Sequence, residues 1–253
     1  MSWVAEEQES VWLRPGRGTR GPAAGRTRAE LADAAVRLAD RGGLEAVSMR
    51  QVARELGVGQ SSLYRYVASR DDLLDLMTDA AAGEIGVDAP LTGEPVEDLL
   101  ALADRTRAVH VRHPWLADVP PEPLRLGPHG LDHLEYALRA LAPTALTGAA
   151  KVEAVAVMNA LIAQFARTER PGADADRARR RAQETYLRRA VAEGRHPYLA
   201  EALGGAAASG ADAGGSGESA ANGGGPDVAD AHGMFRHTMR RVLTALTAPD
   251  PRG

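Results

Sequence analysis

Residues 48–77 read SMRQVARELGVGQSSLYRYVASRDDLLDLM. The side chains there that can do chemistry are hydrogen-bonding ones, not bond-breaking ones. Gln60, Ser61, Ser62, Tyr64 and Arg65 fall within six residues of one another. Amide, hydroxyl and guanidinium groups suit phosphate oxygens and base edges. From Gly57 to Arg70 the segment contains no Asp or Glu, so nothing in it repels a polyanion.

The elements that must position these groups are two short helices. Ser48 is placed to cap the first, with Gln51 three residues on to complete a capping box. Val52, Ala53 and Leu56 make its apolar face. Gly57 supplies a tight turn, where a left-handed backbone penalises any residue with a Cβ. Val58 plugs the corner. A second helix over 60–66 then turns Leu63 and Tyr66 inward and the polar set outward. Ala53 is small where the two helices must cross closely. This spacing predicts a helix-turn-helix, whose second helix enters the DNA major groove. An ordinary helical hairpin shares the spacing; the polar, carboxylate-free outer face separates the two.

Flanking signals extend the unit. Thr27 and Glu30 form another capping box, opening a helix to about Arg41 with Leu31, Ala34, Ala35 and Leu38 inward. Gly42-Gly43 ends it. Ser69 with Asp72 starts a fourth helix near Arg70, running through Leu73, Leu74 and Met77 to about Gly83.

Charge is distributed to match. The 253-residue chain carries a net −4, yet residues 14–70 hold eleven Arg against five acids, a local +6, leaving −10 for the remainder. A basic end on an acidic body is expected when one end alone meets phosphates. Hydrophobic content of 44% and mean hydropathy of −0.27 fit a globular chain. No apolar run approaches the roughly 20 residues of a bilayer span, so no membrane partner is expected. The opening MSWVAEEQE is acidic, unlike a secretory signal, and the absence of cysteine fits a reducing cytoplasm.

The expected organisation is all-α. Residues 1–25 read as a disordered basic arm, either idle or touching backbone or minor groove through Arg14, Arg17 and Arg20. Residues 26–72 form the three-helix DNA-binding domain, and 73–253 a larger helical effector-binding and dimerisation domain. Its helices are expected at 95–111, 114–118, 127–142, 147–168, 173–194 and 230–248. Residues 204–229, rich in Gly, Ala, Ser and Asp, read as a mobile loop.

Catalytic signatures are missing. There is no Gly-rich phosphate loop, Gly-x-Ser-x-Gly or cysteine nucleophile, so an all-α enzyme is disfavoured. The pairs His110/His113 and His129/His133 have helical spacings that can hold a metal, but no His-Glu-x-x-His pattern accompanies them. Neither metal nor cofactor is expected. An architectural DNA protein without an effector would not need so large an apolar body.

The stretch Ser48…Val52-Ala53…Leu56-Gly57-Val58…Leu63-Tyr64-Arg65-Tyr66-Val67…Arg70…Leu73-Leu74 resembles the tetracycline-repressor family of transcription regulators. Arg112-His113-Pro114-Trp115 and His196-Pro197-Tyr198-Leu199 resemble its tetracycline-repressor-like C-terminal subgroup. Two departures stand out: Gly59 replaces a polar residue at the start of the recognition helix, and Tyr66 stands where His is commoner.

The resemblance implies a ligand-responsive repressor that binds a palindromic double-stranded operator as a homodimer and is released by a small-molecule effector of unknown identity. By the same likeness, Arg50 and Gln60 touch base edges and Ser61 and Ser62 approach the groove. Ser48, Tyr64, Tyr66 and Arg70 anchor phosphates, although Tyr66 also suits the core. A dimer formed by two C-terminal helices is implied too. Phe235, Met239, Val242 and Leu246 form one apolar stripe, and Val155, Met158, Ile162 and Phe165 a second. Both stripes suit either a partner or their own core. Trp115, Tyr136, Met158, Ile162 and Phe165 are candidates to line the effector pocket, with His110 as a polar contact; ordinary core packing is the alternative.

Overall fold

The computed structural model describes residues 10–14, 27–120, 125–169, 174–202 and 228–248. Every regular element among them is helical. The helices are α1 (Arg28–Gly42), α2 (Met49–Leu56), α3 (Gln60–Leu63), α4 (Arg70–Ala82), α5 (Pro95–Arg112), α6 (Pro128–Ala140), α7 (Gly148–Thr168), α8 (Asp174–Ala192) and α9 (Val228–Thr247), with 3-10 turns at Leu44–Ala46 and Pro114–Asp118. The chain divides into two compact units, one of Met1–Arg170 with Val228–Gly253 and one of Pro171–Asp227. In the second unit the described part is α8 and a helical stretch at 197–202, carrying the exposed Tyr186 and Tyr198.

Capping chemistry starts the first helices where the sequence places them. Glu30 N–H donates to Thr27 Oγ1 at 3.1 Å and Thr27 N–H to Glu30 Oε2 at 2.7 Å, a complete box. Ser48 Oγ accepts from Gln51 N–H at 3.2 Å, and Ser69 Oγ from Asp72 N–H at 3.0 Å. Gly57 ends α2 with φ +68°, and Val58 N–H reaches back to the Ala53 carbonyl at 3.0 Å. α5 begins differently. The buried Asp98 carboxylate gathers Thr92 N–H, the Thr92 hydroxyl and Gly93 N–H at 2.8–3.1 Å.

One continuous core runs from the reading domain into the body. Leu31, Ala34, Ala35, Val52, Ala53 and Leu63 are buried between α1, α2 and α3, and α1 packs along α4 through Leu73, Leu74 and Met77. α5 lies against α7 and α9, with Leu99, Leu102, Met158, Ile162, Phe235 and Met239 enclosed.

Five expectations need correction. α3 is a single turn, and residues 64–66 continue as a tighter turn in which Tyr66 N–H bonds the Leu63 carbonyl at 2.8 Å; the two tyrosines there have weak helix propensity. Residues 10–14 are ordered rather than arm-like. Val11 is fully buried, and Arg14 pairs with the buried Asp72, whose other contact is Ala68 N–H at 2.6 Å. Arg17, Arg20 and the rest of 1–25 lie outside the described residues, as do 204–227 of the expected loop; 228 and 229 begin α9.

α7 contradicts the expectation on apolar runs, since by length and composition it could cross a membrane. The buried side of α7 against α5 and α9 accounts for part of its apolarity. Finally, the two stripes proposed for a partner mostly face inward: Val155, Phe235 and Met239 are 0–3% exposed, while Val242 and Leu246 are half-buried. α9 spends that face on its own α5 and α7.

Trp12 adds a constraint. A Cβ on Gly127 would come within 2.4 Å of its ring and of Asp79 Cγ, so the start of α6 docks only as glycine.

Candidate nucleic-acid interface and ligand cavity

The polar face forms on α2, the Gly57 turn and α3. Ser48, Arg50, Gln60, Ser61, Tyr64 and Arg70 are exposed, and Ser62 is half-buried. Gln60 Nε2 lies 3.4 Å from the Tyr64 hydroxyl one turn away. Ser62 Oγ donates to the Gly59 carbonyl at 2.6 Å, stiffening a helix start that Gly59 leaves without a side-chain cap. Tyr64 is 52% exposed, a large ring presented to solvent beside hydrogen-bonding groups. Arg70 also donates to the Leu44 carbonyl at 3.2 Å, tying the start of α4 to the turn after α1.

Tyr66 behaves differently from its expected phosphate role. It is 6% exposed, and its hydroxyl is enclosed with no hydrogen-bond partner among the described residues. It sits three residues after the inward Leu63, on the same side, and the Arg65 guanidinium lies 4.9 Å above its ring. Tyr66 packs the reading domain and presents no hydroxyl to a duplex.

Behind the reading domain, α4, α5, the Pro114–Asp118 turn, α6 and α7 line a partly open cavity of about 320 Å³. Ile85, Val109, Leu116, Val119 and Leu126 supply aliphatic wall; Thr106, His110, His133, Asn159 and Arg125 supply polar atoms. Burial, then the neighbouring His113 and His133, push His110 down from 6.5 to about 4. Burial and then Arg105 lower His133. Both rings are therefore neutral near pH 7. His133 Nε2 lies 3.2 Å from Thr106 Oγ1, whose own proton goes to the Leu102 carbonyl at 3.0 Å.

Of the residues expected to line a pocket, His110 does so. The aromatic and sulfur side chains do not. Trp115 is 1% exposed and donates Nε1–H to Asp40 Oδ1 at 2.8 Å. Tyr136 lies beneath Arg105, Met158 and Ile162 are fully enclosed core, and Phe165 meets Phe235 edge-on at 5.3 Å. Sequence reasoning missed Thr106 and Asn159 and weighed His133 only as a metal ligand. The available signal was polar residues one or two turns apart on apolar helix faces. No cluster of three or more metal-ligating side chains occurs among the described residues.

A second unforeseen feature joins cavity wall to reading domain. His113, buried one turn after His110, has Nδ1 at 2.7 Å from Asp40 Oδ1 of α1 and Nε2 at 3.0 Å from Glu84 Oε1. Asp40 Oδ1 thus meets Trp115 and His113 together. Burial raises the Glu84 pKa, but hydrogen bonds from Arg112 and His113 outweigh it and hold the carboxyl below its usual range.

Residues 31–77 match the family of bacterial regulatory proteins designated tetR, and residues 89–214 match the tetracyclin repressor-like C-terminal domain. The HTH-type transcriptional repressor DrrR1 of Streptomyces coeruleorubidus is 37% identical over 205 residues, covering 78% of this chain and 76% of that protein. Among solved structures, ActR of Streptomyces coelicolor in complex with actinorhodin superimposes with a TM-score of 0.69 at 24% identity, over 88% of this chain and 96% of that one. The transcription regulator SCO7704 of Streptomyces coelicolor gives 0.59 at 28% identity, over 91% and 98%.

Proposed function

Since the chain belongs to the tetR family of bacterial regulatory proteins, we propose that it represses transcription in the cytoplasm by binding a palindromic operator as a homodimer, and that a small molecule in the cavity releases it. The observation that carries this reading is the outward polar surface of α2 and α3. Arg50 and Gln60 read base edges there, Ser61 and Ser62 fit the groove wall, and Ser48, Tyr64 and Arg70 hold phosphates.

α7 argues for the dimer. Only 28% of its most apolar window is buried within the subunit. Val152 is 48% exposed, and Ala156 and Ala160 are exposed on the same face. A second α7 would cover that surface, with Val242 and Leu246 of α9 at its margin. Two-fold pairing would set the readers roughly 34–36 Å apart. ActR has been solved with actinorhodin, which supports a small-molecule effector here.

Release needs a lever. Leu116 lines the cavity, and the adjoining Trp115, with His113, holds Asp40 of α1. A ligand that moves the Pro114–Asp118 turn would move the reader. It must favour the released state by several kcal/mol, about 5.5 for a full 1:99 to 99:1 switch.

Selection of binding sites from a random duplex pool, followed by sizing of the complex, tests the proposal. A palindrome bound by two chains is the expected result. An unordered pool, or one chain per site, would overturn it.

A further inference from the structure

The chemistry of the cavity restricts what can occupy it. Thr106 gives its single proton to the Leu102 carbonyl, so in the Thr106–His133 contact the histidine must donate through Nε2. That fixes the tautomer and leaves His133 Nδ1 as a bare acceptor. Asn159 Oδ1 is buried without a hydrogen-bond partner, as is His110 Nδ1. His133 Nδ1 and Asn159 Oδ1 are therefore two acceptors in the wall, and both histidines are neutral.

Charge is scarce in the lining. Among the described residues it contains no Asp or Glu and a single cation, Arg125, which already holds Asp75 at 2.5 Å. An ammonium would be desolvated there with no carboxylate among the described lining to receive it, and a carboxylate would meet two acceptors, neutral rings and a cation that Asp75 already neutralises. The remaining wall is aliphatic. We infer that the cavity takes an uncharged, largely apolar molecule that presents hydroxyl or N–H donors to Asn159 Oδ1 and His133 Nδ1. This rests on the reading of the cavity as the effector site and adds the ligand class.

Four probes on one scaffold test it by calorimetry on the full chain near neutral pH: naphthalene, 1-naphthol, 1-naphthoate and 1-naphthylmethylammonium. The expectation is that 1-naphthol binds about tenfold more tightly than each of the others. 1-Naphthol has one O–H to donate, so one of Asn159→Leu and His133→Phe should reduce it to the level of naphthalene and the other should cost it less, with naphthalene within about twofold in both. Asn159→Asp keeps the shape and adds a charge, so it should transfer preference to the ammonium probe; this arm guards against loss of folding in the other two. A charged probe binding as well as 1-naphthol, equal losses for every probe in the variants, or no binding at all overturns the inference. Tight 1-naphthol binding that leaves the operator complex intact would uphold the ligand class and sink the effector-site reading.

Discussion

The reading surface and the cavity are built by opposite means. The reading surface comes from one continuous stretch, Ser48 to Arg70, whose polar groups stand in solvent before any partner arrives. The cavity draws on α4, α5, the turn after α5, α6 and α7, and its polar groups are enclosed and left partly unsatisfied. Exposed groups on a rigid local scaffold can be exchanged with little effect on folding. Enclosed groups are bound up with the core, so function and stability change together.

That contrast should be visible as a double dissociation. Met158→Ala removes a fully enclosed side chain beneath the body and should lower stability by about 2–5 kcal/mol, read by denaturant unfolding, with unchanged site preference in the folded fraction. Gln60→Ala should leave unfolding unaltered yet cost about 1–3 kcal/mol of discrimination at one operator position, with binding to random duplex nearly constant. If Gln60→Ala weakens specific and random binding alike, its place as a base reader is lost.

A substitution at the turn should blur the dissociation. Gly57→Ala forces a Cβ into a φ of +68° and should cost about 1 kcal/mol of stability while also displacing α3, so both assays respond. A change in one assay alone would mean that the turn does not couple fold to reading.

Protonation sharpens the cavity side. His110 in the folded chain sits near 4, below its ordinary 6.5, so the unfolded chain binds more protons between those values. Stability should therefore fall as pH drops from about 6.5 to 4 and level off below. His110→Phe should flatten that part of the thermal-melting profile. An unaltered slope would remove His110 as the group responsible.

The same contrast explains what was legible in the sequence. Thr27, Ser48, Gly57 and Ser69 act on neighbours within five residues, so helix starts and the turn could be read directly, as could the outward Gln60, Ser61 and Tyr64. Tyr66 was ambiguous because its position three residues after Leu63 turns it inward while the family likeness gave its hydroxyl a phosphate. The cavity was not legible. Trp115 and Phe165 looked like pocket walls because large rings suit pockets, but they equally suit a core, and only tertiary packing decides. Thr106, His133 and Asn159 lie 26 or more residues apart in sequence, and nothing local announces that they meet. The stripe on α9 was correctly found as apolar, yet its direction depended on α5 and α7.

Trp115 has a practical consequence. Its indole, shielded from solvent and donating to a carboxylate of α1, is an optical probe supplied by the protein itself. With Trp3 and Trp12 replaced by Phe, emission from this one ring would report the hinge between sensor and reader. A shift to longer wavelength on adding an inducer would mark water entering, in real time and without a dye.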